Sequence, residues 1–347
     1  MIPAFTIGLV VIIAVALLYG SRRWQSSTKK MHAKLEAQRL PITTKTYSAG
    51  ELIGLPAPVQ KYFRAALKDG QPMVSAVQVE LSGTINMSAT GEKWNRFTAT
   101  QPIITQRPGF DWEGRIEMMP GLSARVHDAY IAGEGILHAA LFGLVTLANL
   151  RGTPEIAQGE LMRFFAEAAW YPTALLASQG VRWKPIDDSS AEATLKDGGT
   201  SVTLLFLFGE NGLIKSVRAE SRGRTVGGVA IPTPWEVRLS NYELRDGMCV
   251  PTVGEVAWVL PEGPKSYFRG RVTRLRYEFA QSGQFKTEHI LVKSRRLLQT
   301  RHAMDEVAKR EHVARGCSHQ RRRGNECRKQ DLTATRTRRS VHTYTRA

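Results

Sequence analysis

The chain has 347 residues, enough for one large domain or two modest ones. Its net charge of +17 and pI near 10.1 would suit a nucleic-acid binder, but the charge is concentrated at the ends. Residues 293–347 carry sixteen Lys or Arg against five Asp or Glu, a net +11, and residues 21–40 carry six against one, a net +5. The body between them is left near +1, so nucleic acid is not its expected partner. Of Cys249, Cys317 and Cys327 only Cys249 lies in the body, where it has no partner for an internal disulfide and does not settle the compartment.

Residues 1–20 contain no charged side chain, and about 20 apolar residues at a rise of about 1.5 Å span the roughly 30 Å of a bilayer core. A transmembrane helix is expected there, with the membrane as the first partner. A cleaved signal peptide would place charge before a shorter apolar run, although Ala14-Val15-Ala16 resembles a cleavage site. All nearby positive charge follows the span. The positive-inside rule then makes this a single-pass protein of the plasma (inner) membrane with a cytoplasmic body. Tyr19 and Trp24 are candidate interface residues, and the basic juxtamembrane segment 21–44 is expected to begin as an amphipathic helix near anionic headgroups.

The body, residues 45–285, begins with Ser48 as a cap and a helical stretch from Val59 to Leu67. After Gly70 the hydrophobic period becomes two. Val77, Val79, Leu81 and Ile85 oppose Gln78, Glu80, Ser82 and Thr84, and Phe110, Trp112, Ile116 and Met118 oppose Asp111, Glu113, Arg115 and Glu117. Trp235, Val237 and Leu239 repeat the pattern. Further strand runs are 96–105, 124–132, 191–195, 202–208, 213–220, 250–259 and 273–279, separated by turn signals such as Pro108-Gly109, Asn211-Gly212 and Asp246-Gly247. One interruption stands out: Thr153-Pro154-Glu155 caps a helix that runs toward Trp170 and stops near Pro172. Residues 136–150 are apolar on every side and fit a strand or a buried helix. The expected architecture is α+β: a large, curved, mostly antiparallel sheet of about ten strands, half-barrel-like, with the mid-chain helix covering its apolar face.

No Walker loop, His-Glu-x-x-His, Gly-x-Ser-x-Gly or Cys-x-x-Cys is present, and Gly133-Glu134-Gly135 lacks the third glycine of a dinucleotide fingerprint. No catalytic residue, metal site or cofactor is assigned. The candidate ligand-binding residues are Glu160, Arg163, Glu167 and Trp170 on the mid-chain helix, with Asp128. Glu160, Arg163 and Glu167 fall at i, i+3 and i+7 and share one face, which is either a salt-bridged solvent face or a polar strip at the mouth of an apolar cavity. A two-carboxylate glycosidase is disfavoured, because Arg163 between the two acids would hold both ionised. Asp128 shares its strand face with Val126 and Tyr130, so an inward carboxylate there needs a partner. His127 faces the other way, which argues against an adjacent His–Asp catalytic pair.

Residues 286–347 read as a basic disordered tail, with few large apolar residues and a His/Cys spacing that fits no standard zinc site. The abrupt change of character also fits a translated frameshift.

The block Gly159–Leu176, followed by Val181-Arg182-Trp183 and 191–195, resembles an uncharacterised bacterial family of membrane-anchored proteins. Leu55–Arg64, Trp235, Tyr242 and Pro251 extend the resemblance over roughly residues 50–280. It implies no activity. More distantly, the order of strands and helix is similar to lipoprotein-carrier half-barrels; carriers of that kind usually work outside the cytoplasm, which gives the body an alternative, extracytoplasmic location. The leading functional expectation is a membrane-anchored protein binding an apolar small molecule or lipid in a concave groove. The alternatives are a hydrolase-type enzyme acting on such a ligand, with Asp128, Glu160 and Glu167 as its acid/base groups, and a non-catalytic subunit of a membrane complex. The oligomeric state is not fixed by these residues.

Overall fold

The computed structural model describes residues 2–88 and 91–280; the expected tail lies outside the described residues. A long helix, α1 (Ile2–Glu36), opens the chain, and a 3-10 turn (Ala49–Leu52) and a short helix, α2 (Ala57–Ala66), follow. Six strands come next: β1 (Val74–Asn86), β2 (Trp94–Ile104), β3 (Gly109–Met119), β4 (Leu122–Ile131), β5 (Glu134–Leu141) and β6 (Val145–Arg151). The helix α3 (Pro154–Glu167) then leads through three 3-10 turns to β7 (Arg182–Asp187), β8 (Ser190–Asp197), β9 (Thr200–Phe208), β10 (Ile214–Val226), β11 (Val229–Arg245), β12 (Met248–Leu260) and β13 (Gly263–Phe279).

All thirteen strands form one antiparallel sheet, ordered β6-β5-β4-β3-β2-β1-β13-β12-β11-β10-β9-β8-β7. Two meanders are thus joined at their first and last strands, with Val79 opposite Leu275. The sheet curls strongly. Nine strand spacings of about 4.8 Å would hold β5 and β9 about 43 Å apart in a flat sheet, yet α3 packs against both. The Tyr130 hydroxyl on β4 likewise donates to Asp197 Oδ2 on β8, 2.9 Å away. The ends stay open as the edge strands β6 and β7.

The concave face holds the main core. Val77, Val79, Phe97, Ile103 and Phe110 meet Leu161, Phe165, Phe206, Val217 and Trp235 around α3. Thr153 caps α3 by accepting from the Ile156 amide, and Pro154 supplies a preset first turn. The exit from α3 is fixed by three bonds to its backbone: Tyr171 Oη to the Phe164 carbonyl, Tyr277 Oη to that of Trp170, and Trp183 Nε1 to that of Leu175. On the convex face the second half of α1 covers a smaller core of Leu35, Ala76, Ile104, Ala129, Ile131 and Ile136.

Several local expectations change. Residues 136–150 form the hairpin β5–β6, whose alternation is hidden because apolar side chains occupy both faces. Three strands beyond the expected ten appear, and β10 and β11 run far past the alternating stretches. Their outer halves pair Arg222 with Thr233 and Val226 with Val229 around a Gly227-Gly228 turn in which both residues have positive φ. Pro232 and Pro234 sit where β11 has not yet met β12, so their missing amides interrupt no ladder on that side. Trp24 is not an interface residue: it is 2% exposed, packed between α1 and the sheet.

Candidate functional site

Two arginines reach the concave face, Arg163 clasped by two carboxylates and Arg222 by one, and each lies over an indole. Arg163 on α3 donates from Nη1 to Asp128 Oδ2 (2.7 Å) on β4 and from Nε to Glu167 Oε1 (2.8 Å) one turn along its own helix. Its Nη2 donates to Gln101 Oε1 (3.3 Å), and Gln101 Nε2 donates in turn to Glu167 Oε2 (2.6 Å). The guanidinium sits 5.0 Å from the Phe110 ring centre and 5.6 Å from that of Trp112. Arg222 on β10 donates to Glu160 Oε1 (3.1 Å) and to the Tyr267 hydroxyl (3.3 Å), and lies 4.7 Å from the Trp235 ring centre. Trp235 Nε1 also donates to the Tyr267 hydroxyl, at 3.0 Å.

Glu160, Arg163 and Glu167 therefore share a face, but that face is turned into the protein rather than toward solvent. Glu160 takes its partner from β10, not from Arg163. Its burial, reinforced by the negative charge of Asp128, outweighs the two arginines and raises its pKa from 4.5 to about 8. This differs from the expectation that Arg163 holds both acids ionised, because burial is the larger effect at Glu160. Burial alone would favour a neutral Arg163, but Glu167, Asp128 and Glu160 more than offset it and raise its pKa. Glu160 Oε2 is buried and has no hydrogen-bond partner.

Two cavities adjoin this cluster. One, of about 120 Å³, is lined by Trp112, Trp170, Trp235, Val237, Val256 and Phe268 together with Arg163, Glu167 and Asp128. The other, of about 260 Å³, passes Glu160, Leu137, Leu150, Ile156 and Trp258. Asp128, Arg222 and Tyr267 line both. Neither alone reaches the roughly 300–1,000 Å³ of a drug-sized ligand site, so a larger occupant must span the two.

The structure brings Asp128, Glu160, Arg163, Glu167 and Trp170 to this one place. Gln101, Arg222 and Tyr267 were missed. Gln101 was legible in principle, since it shares an inward face with Phe97, Ala99 and Ile103; Arg222 lies in a stretch without alternation and carried no signal.

A second buried cluster lies under α1. Asp111, fully buried, accepts from His127 Nδ1 (3.0 Å), and the Thr28 hydroxyl is 3.0 Å from His127 Nε2. His32 Nε2 comes within 3.2 Å of Asp111 Oδ2. Burial would raise the Asp111 pKa, but contacts with His127 and His32 prevail and lower it; contact with Asp111 raises that of His32. Trp24 stacks on His127 (4.6 Å, 13°) and donates from Nε1 to Glu113 Oε1 (2.9 Å). The Thr–His–Asp order has the connectivity of a nucleophilic relay. Trp24 nevertheless covers the imidazole and Thr28 is enclosed, so no substrate reaches the hydroxyl. Among the described residues no group of three or more His, Cys, Asp or Glu is arranged to hold a metal ion.

Residues 53–277 match the family of unknown function DUF6920, and the chain belongs to that family. No curated protein matches. Among solved structures, a domain from Vibrio parahaemolyticus described as an outer membrane lipoprotein-sorting protein aligns at 9% identity and TM-score 0.33, covering 62% of this chain and 91% of that one. A LolA-superfamily protein from Nitrosomonas europaea aligns at 13% identity and TM-score 0.30, covering 65% and 94%. A β-barrel-like protein of the DUF1849 family from Brucella abortus aligns at 11% identity and TM-score 0.17, covering 59% and 99%.

Proposed function

We propose that this protein is tethered to the plasma membrane by the apolar half of α1 and binds a lipid acyl chain in the concave groove beneath α3. The observation that carries this reading is the pairing of an indole-rich cavity with a polar wall that is not fully satisfied. Trp112, Trp170, Trp235 and Phe268 offer a surface suited to a chain of methylenes, each worth about 0.8 kcal/mol on burial. Arg163, Asp128 and Glu167 satisfy one another, whereas Glu160, which lines the second cavity, keeps a buried Oε2 without a partner. A neutral Glu160 donates from that position to an ester or phosphate oxygen of a headgroup. The span is supported by the apolar half of α1, since the most apolar 18-residue window within residues 6–36 has a mean hydropathy of 1.6. Arg22, Arg23, Lys29 and Lys30 lie exposed after it, which favours the cytoplasmic face for the body.

The test is quenching of tryptophan fluorescence by a bromine-bearing stearate added to the full chain. Saturable quenching is expected in the wild type, with loss in a Val256→Trp variant whose added ring fills the first cavity. Equal quenching in both would contradict the reading. A hydrolase-type reading is favoured by one observation, the raised pKa of Glu160, which suits a general acid. It requires Glu160→Gln to abolish turnover of a bound ester while leaving its binding intact.

A further inference from the structure

We infer that the β5–β6 hairpin rests on the bilayer surface and forms an apolar ramp along which an acyl chain passes from the membrane into the groove. This inference rests on the membrane-tethered binding reading above and adds the surface that delivers the ligand.

Three observations carry it. First, α1 is unbroken from Ile2 to Glu36, and residues 6–19 are all exposed. The first backbone contact with the sheet is at Gly20, whose backbone is so close to the β5–β6 turn that a Cβ there would lie 2.4 Å from the Phe142 carbonyl oxygen. Gly143, at φ +71°, is equally close from the other side, where an added Cβ would lie 2.5 Å from the Gly20 carbonyl oxygen. The turn is therefore fixed at the level where the apolar half of the helix ends.

Second, the hairpin that starts at this turn is apolar and uncovered. Phe142 is 39% exposed, Val145 59%, Leu147 51% and Leu150 43%. β6 is an edge strand with no charged residue before Arg151. Exposed edges in water are normally guarded by charge or proline. The opposite edge, β7, is guarded in this way by Arg182, Lys184, Pro185 and Asp187. An edge left apolar beside a membrane-length helix fits a bilayer as its cover.

Third, register connects this hairpin to the cavity. Asp128, on the concave face, stands opposite Leu137, which stands opposite Leu150. The next pairs on that face toward the turn are Ala139 with Ala148 and Leu141 with Val145. Three successive apolar rungs thus cover about 14 Å, at about 3.4 Å per residue, from the turn beside Gly20 to Leu137 and Leu150, and both of these leucines line the second cavity.

The test uses the full chain with Cys249, Cys317 and Cys327 replaced by serine and one new cysteine carrying the fluorophore NBD, in vesicles of phosphatidylglycerol and phosphatidylcholine. A label at Val145→Cys should emit blue-shifted and be quenched by lipids brominated in their acyl chains; a label at Ile186→Cys, exposed on β7, should emit as in water. Emission at 145 indistinguishable from that at 186 overturns the inference. Loading is then compared in a Val145→Asp/Leu147→Asp variant. Its uptake of a brominated phospholipid from vesicles should fall several-fold while uptake of the same lipid from detergent micelles is retained, and equal uptake from vesicles overturns the ramp. Absence of loading from either source in the wild type, with the label at 145 still in the bilayer, contradicts the groove reading and leaves the surface contact standing.

Discussion

The two faces of the sheet each bury a cluster of charges, and the clusters end differently. On the convex face Asp111, His127, His32, Thr28, Trp24 and Glu113 form a network, sealed between α1 and the sheet, by which the sheet holds α1. On the concave face Arg163 is held by two carboxylates and Arg222 by one, and Glu160, which lines a cavity, leaves its Oε2 unpartnered. Burial of charge is costly in both places and is tolerated only with partners. A network sealed under a helix serves attachment; one that lines a cavity is a place for a ligand.

Breaking each cluster should separate these roles. The largest effect is expected for Arg163→Met, which leaves the half-buried Asp128 and Glu167 without their cation. A loss of about 3–5 kcal/mol is expected in denaturant unfolding, together with loss of ligand binding. Asp111→Asn should cost about 1.5–3 kcal/mol, the range for hydrogen bonds to charged groups. Its mark is faster proteolysis within residues 21–36 with stearate binding unchanged; reduced binding would mean the two clusters are coupled.

Glu160→Gln sharpens the comparison through pH. Burial raises the Glu160 pKa above its ordinary 4.5, so its contribution to stability is complete below that value and is lost as pH rises through about 8. The variant, locked neutral, should match the wild type near pH 5 and exceed it in melting temperature at pH 9. A wild type at least as stable as the variant at pH 9 would contradict the assignment. Trp24→Phe removes the bond to Glu113 together with part of the buried ring stacked on His127, and should cost about 1–3 kcal/mol. The smallest change is expected at Lys184→Ala on the guarded edge, whose exposed pair with Glu192 at 3.2 Å should be worth no more than about 0.5 kcal/mol.

The fold was legible wherever one face of a strand is dry and the other wet. Val77–Ile85 and Phe110–Met118 are read correctly for that reason, and Thr153-Pro154 marks α3 by cap chemistry alone. Legibility failed where alternation is lost: β5 and β6 carry apolar side chains on both faces, and the outer halves of β10 and β11 are mostly exposed. The face shared by Glu160, Arg163 and Glu167 followed from helical spacing, but its direction did not, because Arg222 arrives from a strand 62 residues later. The convex cluster escaped for a related reason. His127 and Asp111 are paired by strand register, and α1, read as membrane helix and headgroup contact, covers them. A fragment starting at residue 45 would expose Leu35's neighbours Ala129 and Ile131, so ligand studies belong on the full chain.

The central claim is that the open cluster marks an occupied groove. The most direct measurement is mass spectrometry of organic extracts from the full chain held in amphipol, compared with the Val256→Trp variant prepared in the same way. The account predicts one acyl-chain lipid per chain that is retained in the wild type and missing from the variant, above whatever lipid both carry around α1. Identical extracts from the two proteins would contradict it.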